Sequence, residues 1–120
     1  MWYSAHIVIY VRFLDENQNK FPIWENVVLI EASDRVDAYQ LAEAHGRNME
    51  SDESDAMTWE DRPAMMVFGG IRKLIEVRSL ERNYDVPANG TEVTFSEFEV
   101  ASRDDLDAFI GGKEVVTKYS

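Results

Sequence analysis

Trp24 to Met49, WENVVLIEASDRVDAYQLAEAHGRNM, reads as one strand feeding one amphipathic helix, and this pair decides the fold. Val27-Val28-Leu29-Ile30 is a short, largely β-branched apolar block. Ser33 or Asp34 then offers a side-chain oxygen to the unpaired N–H groups of a helix start, with Asp37 reinforcing it. Ala38, Leu41, Ala42, His45 and Met49 recur at i, i+3, i+4, i+7 and i+11, the spacing of one buried helical face. Arg35, Gln40, Glu43, Arg47 and Asn48 fall on other faces. The spacing therefore predicts a helix lying on a sheet through Ala38, Leu41 and Ala42, with its other side wet.

Outward from this pair, Trp2 to Phe13 is apolar at every odd position, Tyr3, Ala5, Ile7, Ile9, Val11 and Phe13, and mixed at the even ones. That is the period-two pattern of a strand with one core face. The polar run Asp15 to Lys20 returns the chain into a second strand at Ile23 to Ala32, making an antiparallel hairpin. Glu50 to Pro63, acidic and without apolar period, reads as a surface loop. Ala64 to Val77 reads as a strand whose Gly69-Gly70 pair marks a bulge or bend. Pro87 and Asn89-Gly90 predict a turn joining it to a neighbouring antiparallel strand at Thr91 to Val100. Ser102 caps a short helix through Leu106, Phe109 and Ile110 that stops at Gly111-Gly112, and Lys113 to Tyr119 reads as a last edge strand. The expected architecture is α+β: a mostly antiparallel sheet in the order β-β-α-β-β-α-β, with helices on one face and one long helix packed there.

With 120 residues, 45% hydrophobic and 12% aromatic, the chain suffices for one core, and residues 1–120 are expected to form a single domain. Its 23 acids against 12 bases give a formal charge of −11, which argues against a nucleic-acid partner, whose phosphates are met by Lys and Arg. A basic protein or a cation is the more natural partner; solubility alone is the simpler account of the charge. The absence of cysteine removes disulfides, thiolate nucleophiles and thiolate metal sites, and fits a reducing cytoplasm. Ser4, His6 and Arg12 interrupt the apolar opening, so neither a signal peptide nor a membrane span is expected there.

Several stretches taken together resemble a small bacterial family catalogued as domain of unknown function 4288. They are Trp2-Tyr3; Ala32-Ser33 followed by Ala38 and Ala42; Phe68-Gly69-Gly70-Ile71-Arg72-Lys73; Asn89-Gly90-Thr91-Glu92-Val93; and Gly112-Lys113-Glu114-Val115. The resemblance spans nearly the whole chain. Its motifs are turns, strand starts and caps, and it implies no activity, cofactor or site.

No catalytic signature stands out. His6 and His45 are the two imidazoles, and acid–base or metal work would need one to meet a carboxylate such as Glu31 or Glu43. A hydrogen-bonded structural histidine is the commoner outcome, so no metal site is expected. Asp52, Glu53 and Asp55 lack the glycine and terminal glutamate of a calcium loop. Gly69-Gly70-Ile71-Arg72-Lys73 lacks P-loop spacing, and no serine sits in a nucleophile elbow. No cofactor is expected. Trp2, Trp24 and Trp59, with Tyr3 and Tyr10, are either core and rim packing or interface anchors.

Two function classes follow. One is a non-enzymatic acidic interaction module binding a basic partner, as immunity proteins of nuclease toxins do, through Asp52, Glu53, Asp55, Trp59, Glu60 and Asp61. The other is a small-molecule-binding or enzymatic domain with a pocket between helix and sheet, using His6 or His45. A homo-oligomer stays open.

Overall fold

The computed structural model describes residues 1–15, 17–51, 57–77, 89–90 and 92–119. The strands are β1 (Trp2–Phe13), β2 (Phe21–Glu31), β3 (Met57–Trp59), β4 (Arg62–Val77), β5 (Glu92–Val100) and β6 (Lys118–Tyr119). Helix α1 (Arg35–Asn48) follows β2, and α2 (Arg103–Ile110) follows β5. All six strands form one antiparallel sheet in the order β3-β4-β1-β2-β5-β6. The α+β class and the β1–β2 hairpin are as expected from the sequence.

The order of elements is not. It runs β-β-α-β-β-β-α-β, because β3 lies inside the acidic stretch assigned to a loop. Three residues flanked by acids are too short for alternation to register. The turn at Asn89-Gly90 does not join neighbours either. β5 pairs with β2 and β4 with β1, so the connection passes the whole β1–β2 pair. Asn89 and Gly90 dock on β2 instead: the Asn89 side-chain oxygen accepts from the Glu31 N–H, and the Gly90 N–H donates to the Leu29 carbonyl at 2.7 Å. The last strand shortens to two residues.

The expectation of helices on one face, with a single long one packed there, is also corrected. Odd positions of β1, Tyr3, Ala5, Ile7 and Ile9, pack with Val28, Ile30 and the α1 residues Ala38 and Ala42. Even positions, Val8 and Tyr10, pack on the other face with Ile23, Phe98, Val100 and the α2 residues Leu106 and Phe109. From Ile7 to Val11 every residue of β1 is buried. A strand at the centre of a two-sided sheet needs apolar groups on both faces, and Val8 and Tyr10 supply the second.

Both helix starts follow the sequence. The Asp34 carboxylate accepts from Asp37 N–H at 2.8 Å, and the Ser102 hydroxyl accepts from Asp105 N–H at 3.1 Å. The buried face of α1 is Ala38, Ala42 and Gly46, with Leu41 41% exposed. At about 100° per residue, Leu41 points roughly 100° away from the middle of that stripe, and His45 about 60°. Leu41 therefore does not face the sheet, while half-buried His45 borders it. Small residues at i, i+4 and i+8 let the helix backbone approach closely. The same device seats α2: a side-chain carbon on Gly69 would lie 3.0 Å from Ile110 Cδ1.

Strand β4 carries two bulges. Val8 pairs with Gly70 and Ile9 with Phe68, leaving Gly69 extra; His6 pairs with Lys73 and Ile7 with Ile71, leaving Arg72 extra. The predicted bulge at the glycine pair is thus present, with a second beside it. Bulges bend a strand and re-aim side chains.

Candidate functional site

The α1 face has a second region beyond the helix. Val11, Phe13 and Ala64 are its buried floor, with Trp24, Met57, Trp59 and Met66 packed over them. Trp24 and Trp59 meet edge to face, ring centroids 5.1 Å apart at 87°, and each is half-buried. Such a contact adds about 0.5–1.5 kcal/mol beyond area burial. Trp59 is held there by the tight hairpin between β3 and β4, whose loop residues Glu60 and Asp61 have φ of 53° and 60°. Left-handed backbone at two consecutive residues is the geometry that normally selects Asn-Gly.

Arg62 anchors the hairpin. Its Nε and Nη2 donate to the two Asp15 carboxylate oxygens, the former at 2.9 Å, and its guanidinium lies 3.8 Å from the Phe13 ring centroid. The hydrogen bonds from Arg62 hold the Asp15 carboxyl below its ordinary value, and in return Asp15 raises the Arg62 pKa. Lys20 Nζ reaches Glu60 at 3.2 Å. Around the aromatic pair stand Glu60, Asp61 and, from β5, Glu97, directly paired with Trp24 in the sheet. Phe95, two residues from Glu97 on the same face, is 56% exposed.

The opposite face holds a different chemistry. Glu25, in β2, is 8% exposed. His6 Nδ1 lies 3.0 Å from its Oε1, so this nitrogen carries the hydrogen, and Arg72 Nη1 donates to its Oε2 at 2.8 Å. A carboxylate taken so far out of water requires such partners, because its desolvation costs several kcal/mol. Arg72 reaches Glu25 from its bulge across β1, and its guanidinium lies 4.5 Å from the Phe109 ring centroid. Arg72 Nε is buried with no partner among the described residues. These groups border an open cavity of about 900 Å³ between the sheet, α2 and the segment 112–117.

Of the sequence-predicted site residues, Trp59, Glu60 and Asp61 come together at the β3–β4 hairpin. Asp52, Glu53 and Asp55 lie outside the described residues. His6 meets Glu25 rather than Glu31, which pairs with Trp2 at the strand end, or Glu43, which is on α1 across the sheet. His6 and His45 are on opposite faces, so no one pocket holds both. Among the described residues no three imidazoles or carboxylates converge as metal ligands. Sequence reasoning missed Glu25 and Arg72. The available signal was a glutamate and an asparagine inside the apolar run Phe21–Ile30, both of which prove buried.

Among the described residues no helix is long and apolar enough to cross a membrane. The family model described as Domain of unknown function (DUF4288) matches residues 2–94, and the chain belongs to that family. The match takes in Trp24, Glu25, Trp59 and Arg72 and ends within β5, before α2 and the Gly112–Val115 stretch. No curated protein and no solved structure matches the chain.

Proposed function

We propose that this member of the DUF4288 family is a non-enzymatic acidic interaction module that binds a basic protein in a reducing cytoplasm. The observation that carries the reading is the half-buried Trp24–Trp59 pair, on a sheet face that α1 leaves open, flanked by Glu60, Asp61 and Glu97. Aromatic anchors inside a polar rim are the usual anatomy of a binding surface. The charge supports it: of the ten Lys and Arg side chains among the described residues, Lys20, Arg62, Arg72 and Arg103 are engaged by the chain's own carboxylates. Among the described residues, 13 carboxylates outside these pairs stand against six remaining Lys and Arg side chains. Asp52, Glu53 and Asp55 extend the acidic sequence leading into β3, and masking of a basic partner by charge complementarity is the mode of action.

The test starts from proteins captured on the immobilised chain from extracts of its native host. The identified partner is then purified and its association rate followed against salt. A basic partner is expected, with a rate that falls as the screening length drops to about 8 Å and below. Replacing Asp52, Glu53 and Asp55 by Asn or Gln should slow association without moving the melting temperature, and Trp59→Ala should speed dissociation. A partner whose rate ignores salt and all these changes overturns the reading. So does capture of second copies of the chain alone.

A further inference from the structure

We infer that an extended basic segment of the partner protein docks by strand addition on the outer edge of β5, from Glu92 to Ser96. This rests on the proposed reading of a basic partner and adds how that partner is held.

The direction of the β5 backbone groups follows from β2. Ala32 N–H donates to the Met1 carbonyl, whereas the Leu29 carbonyl accepts from Gly90 N–H, so even residues of β2 turn their backbone toward β1 and odd ones toward β5. Val27–Thr94 and Glu25–Ser96 are therefore the hydrogen-bonded pairs, and Phe95 between them turns its N–H and C=O outward. Among the described residues β6 covers that side of β5 only at Phe98 and Glu99, and the outward groups of Phe95 have no partner. An unpaired edge is a template for a further strand. The opposite edge of the sheet is closed to one. There the Met66 and Phe68 N–H groups donate to the Ser51 and Glu50 side chains, Arg35 Nη1 donates to the Leu74 carbonyl, and two bulges interrupt the strand.

The side chains along the edge select the occupant. Glu92, Phe95 and Glu97 pair with Val28, Asn26 and Trp24, and directly paired residues share a face, so all three stand on the α1 face beside the tryptophan pair. Phe95 is 56% exposed. An added strand has the same period of two, so it meets this row with one apolar residue opposite Phe95 and a lysine or arginine two places to either side. The chain's own β6 already follows that rule, placing Lys118 opposite Glu99 on the same edge. A second copy of the chain would instead bring its Glu92 and Glu97 against these, like charges along one seam. Thr94 and Ser96 on the other face are exposed and make no further demand on the segment.

The probe is the end-blocked peptide Thr-Lys-Thr-Leu-Thr-Lys-Thr, titrated into the full isotope-labelled chain and followed by NMR. Saturable shifts centred on Glu92 to Ser96 are expected, and the same peptide with glutamate for lysine should give none. In an antiparallel bonded pair the two residues exchange both hydrogen bonds, so the leucine opposite Phe95 turns its N–H to the chain and the neighbouring threonines turn theirs away. N-methylation of the leucine should weaken binding at least about tenfold, and N-methylation of a neighbouring threonine should not. On the chain, Phe95→Pro and Phe95→Ala both lose the ring, and only the former loses the outward N–H, at an edge position where proline is tolerated. Phe95→Pro should bind at least about tenfold more weakly than Phe95→Ala. No saturation, shifts elsewhere, or equal effects of the two N-methylations overturns strand addition; so does self-association of the chain through Phe95 in the absence of peptide. A basic partner that responds to salt and to Trp59→Ala, yet binds Phe95→Pro and Phe95→Ala equally, overturns strand addition and leaves the interaction surface standing.

Discussion

Gly46→Ala tests how α1 is seated. Gly46 is buried in the last turns of the helix, where alanine would ordinarily gain about 1 kcal/mol in helix propensity. Here a side-chain carbon would fall 2.5 Å from both Cδ1 and Cε1 of Phe68 and 3.1 Å from Ile7 Cγ2. Comfortable carbon contacts begin near 3.5 Å, so the ring must retreat by about 1 Å. It has little room: Arg47 covers the ring at 5.5 Å, the Phe68 N–H is tied to the Glu50 carboxylate, and Ile7 is fully buried. Overpacking of this kind costs about 1–3 kcal/mol, which outweighs the propensity gain. The expected net loss is about 1 kcal/mol, read as a lower urea midpoint at unchanged slope and a melting temperature lower by about 3–5 °C. In a Phe68→Leu background the clash is relieved, and the same substitution should become neutral or stabilising. If Gly46→Ala stabilises the otherwise unaltered chain, the helix does not sit on Phe68 as described.

Two further outcomes follow. Glu60→Asn with Asp61→Gly gives the β3–β4 turn the residues its left-handed backbone favours, and should stabilise the chain by about 1 kcal/mol even though the exposed Lys20–Glu60 pair is lost; a lower urea midpoint would refute the turn geometry. Asp15, depressed in the fold by Arg62, contributes stability that is present above its unfolded value of about 3.9 and is lost as pH falls through its folded value. The melting temperatures of the parent and Asp15→Asn should therefore converge as pH drops below about 4, whereas a gap constant from pH 6 to 2 would show that the pair does not titrate with folding.

What was legible in the sequence was what repeats or sits at a fixed offset from a helix start. Both caps, the β1–β2 hairpin and the bulge at Gly69-Gly70 came from local rules, and the structure has them. Leu41 was misplaced because i, i+3, i+4 spacing bounds an apolar stripe without fixing its centre; Gly46, which has no side chain to count, is what moved the centre toward Ala42. The second covered face was visible in Val8 and Tyr10 but outweighed by the unbroken odd-position pattern. The cavity was not legible. Glu25, Arg72 and Phe109 are brought together by strand order and a bulge, and neither leaves a periodic trace. The hairpin was half legible: Trp59, Glu60 and Asp61 stood out by composition, while Trp24 joins them through the fold.

The places where local rules fail coincide with the two candidate sites, and that coincidence separates them from the rest of the molecule. Ala38, Ala42, Gly46, Gly69, Asp34 and Ser102 each do what their position in an element asks: close packing accounts for the first four and helix capping for the last two. Glu60 and Asp61 do not: they occupy backbone that costs a β-carbon-bearing residue about 1 kcal/mol or more, beside a tryptophan pair left half-open to solvent. Glu25 and Arg72 do not either, since a charged pair in the middle of a small sheet could be replaced by apolar residues at little cost to stability. A stable fold has no use for these two departures. Acids presented at a rigid hairpin tip and a buried ion pair bordering a cavity lie on opposite sides of the sheet, so substitutions at one should leave the stability contribution of the other unchanged.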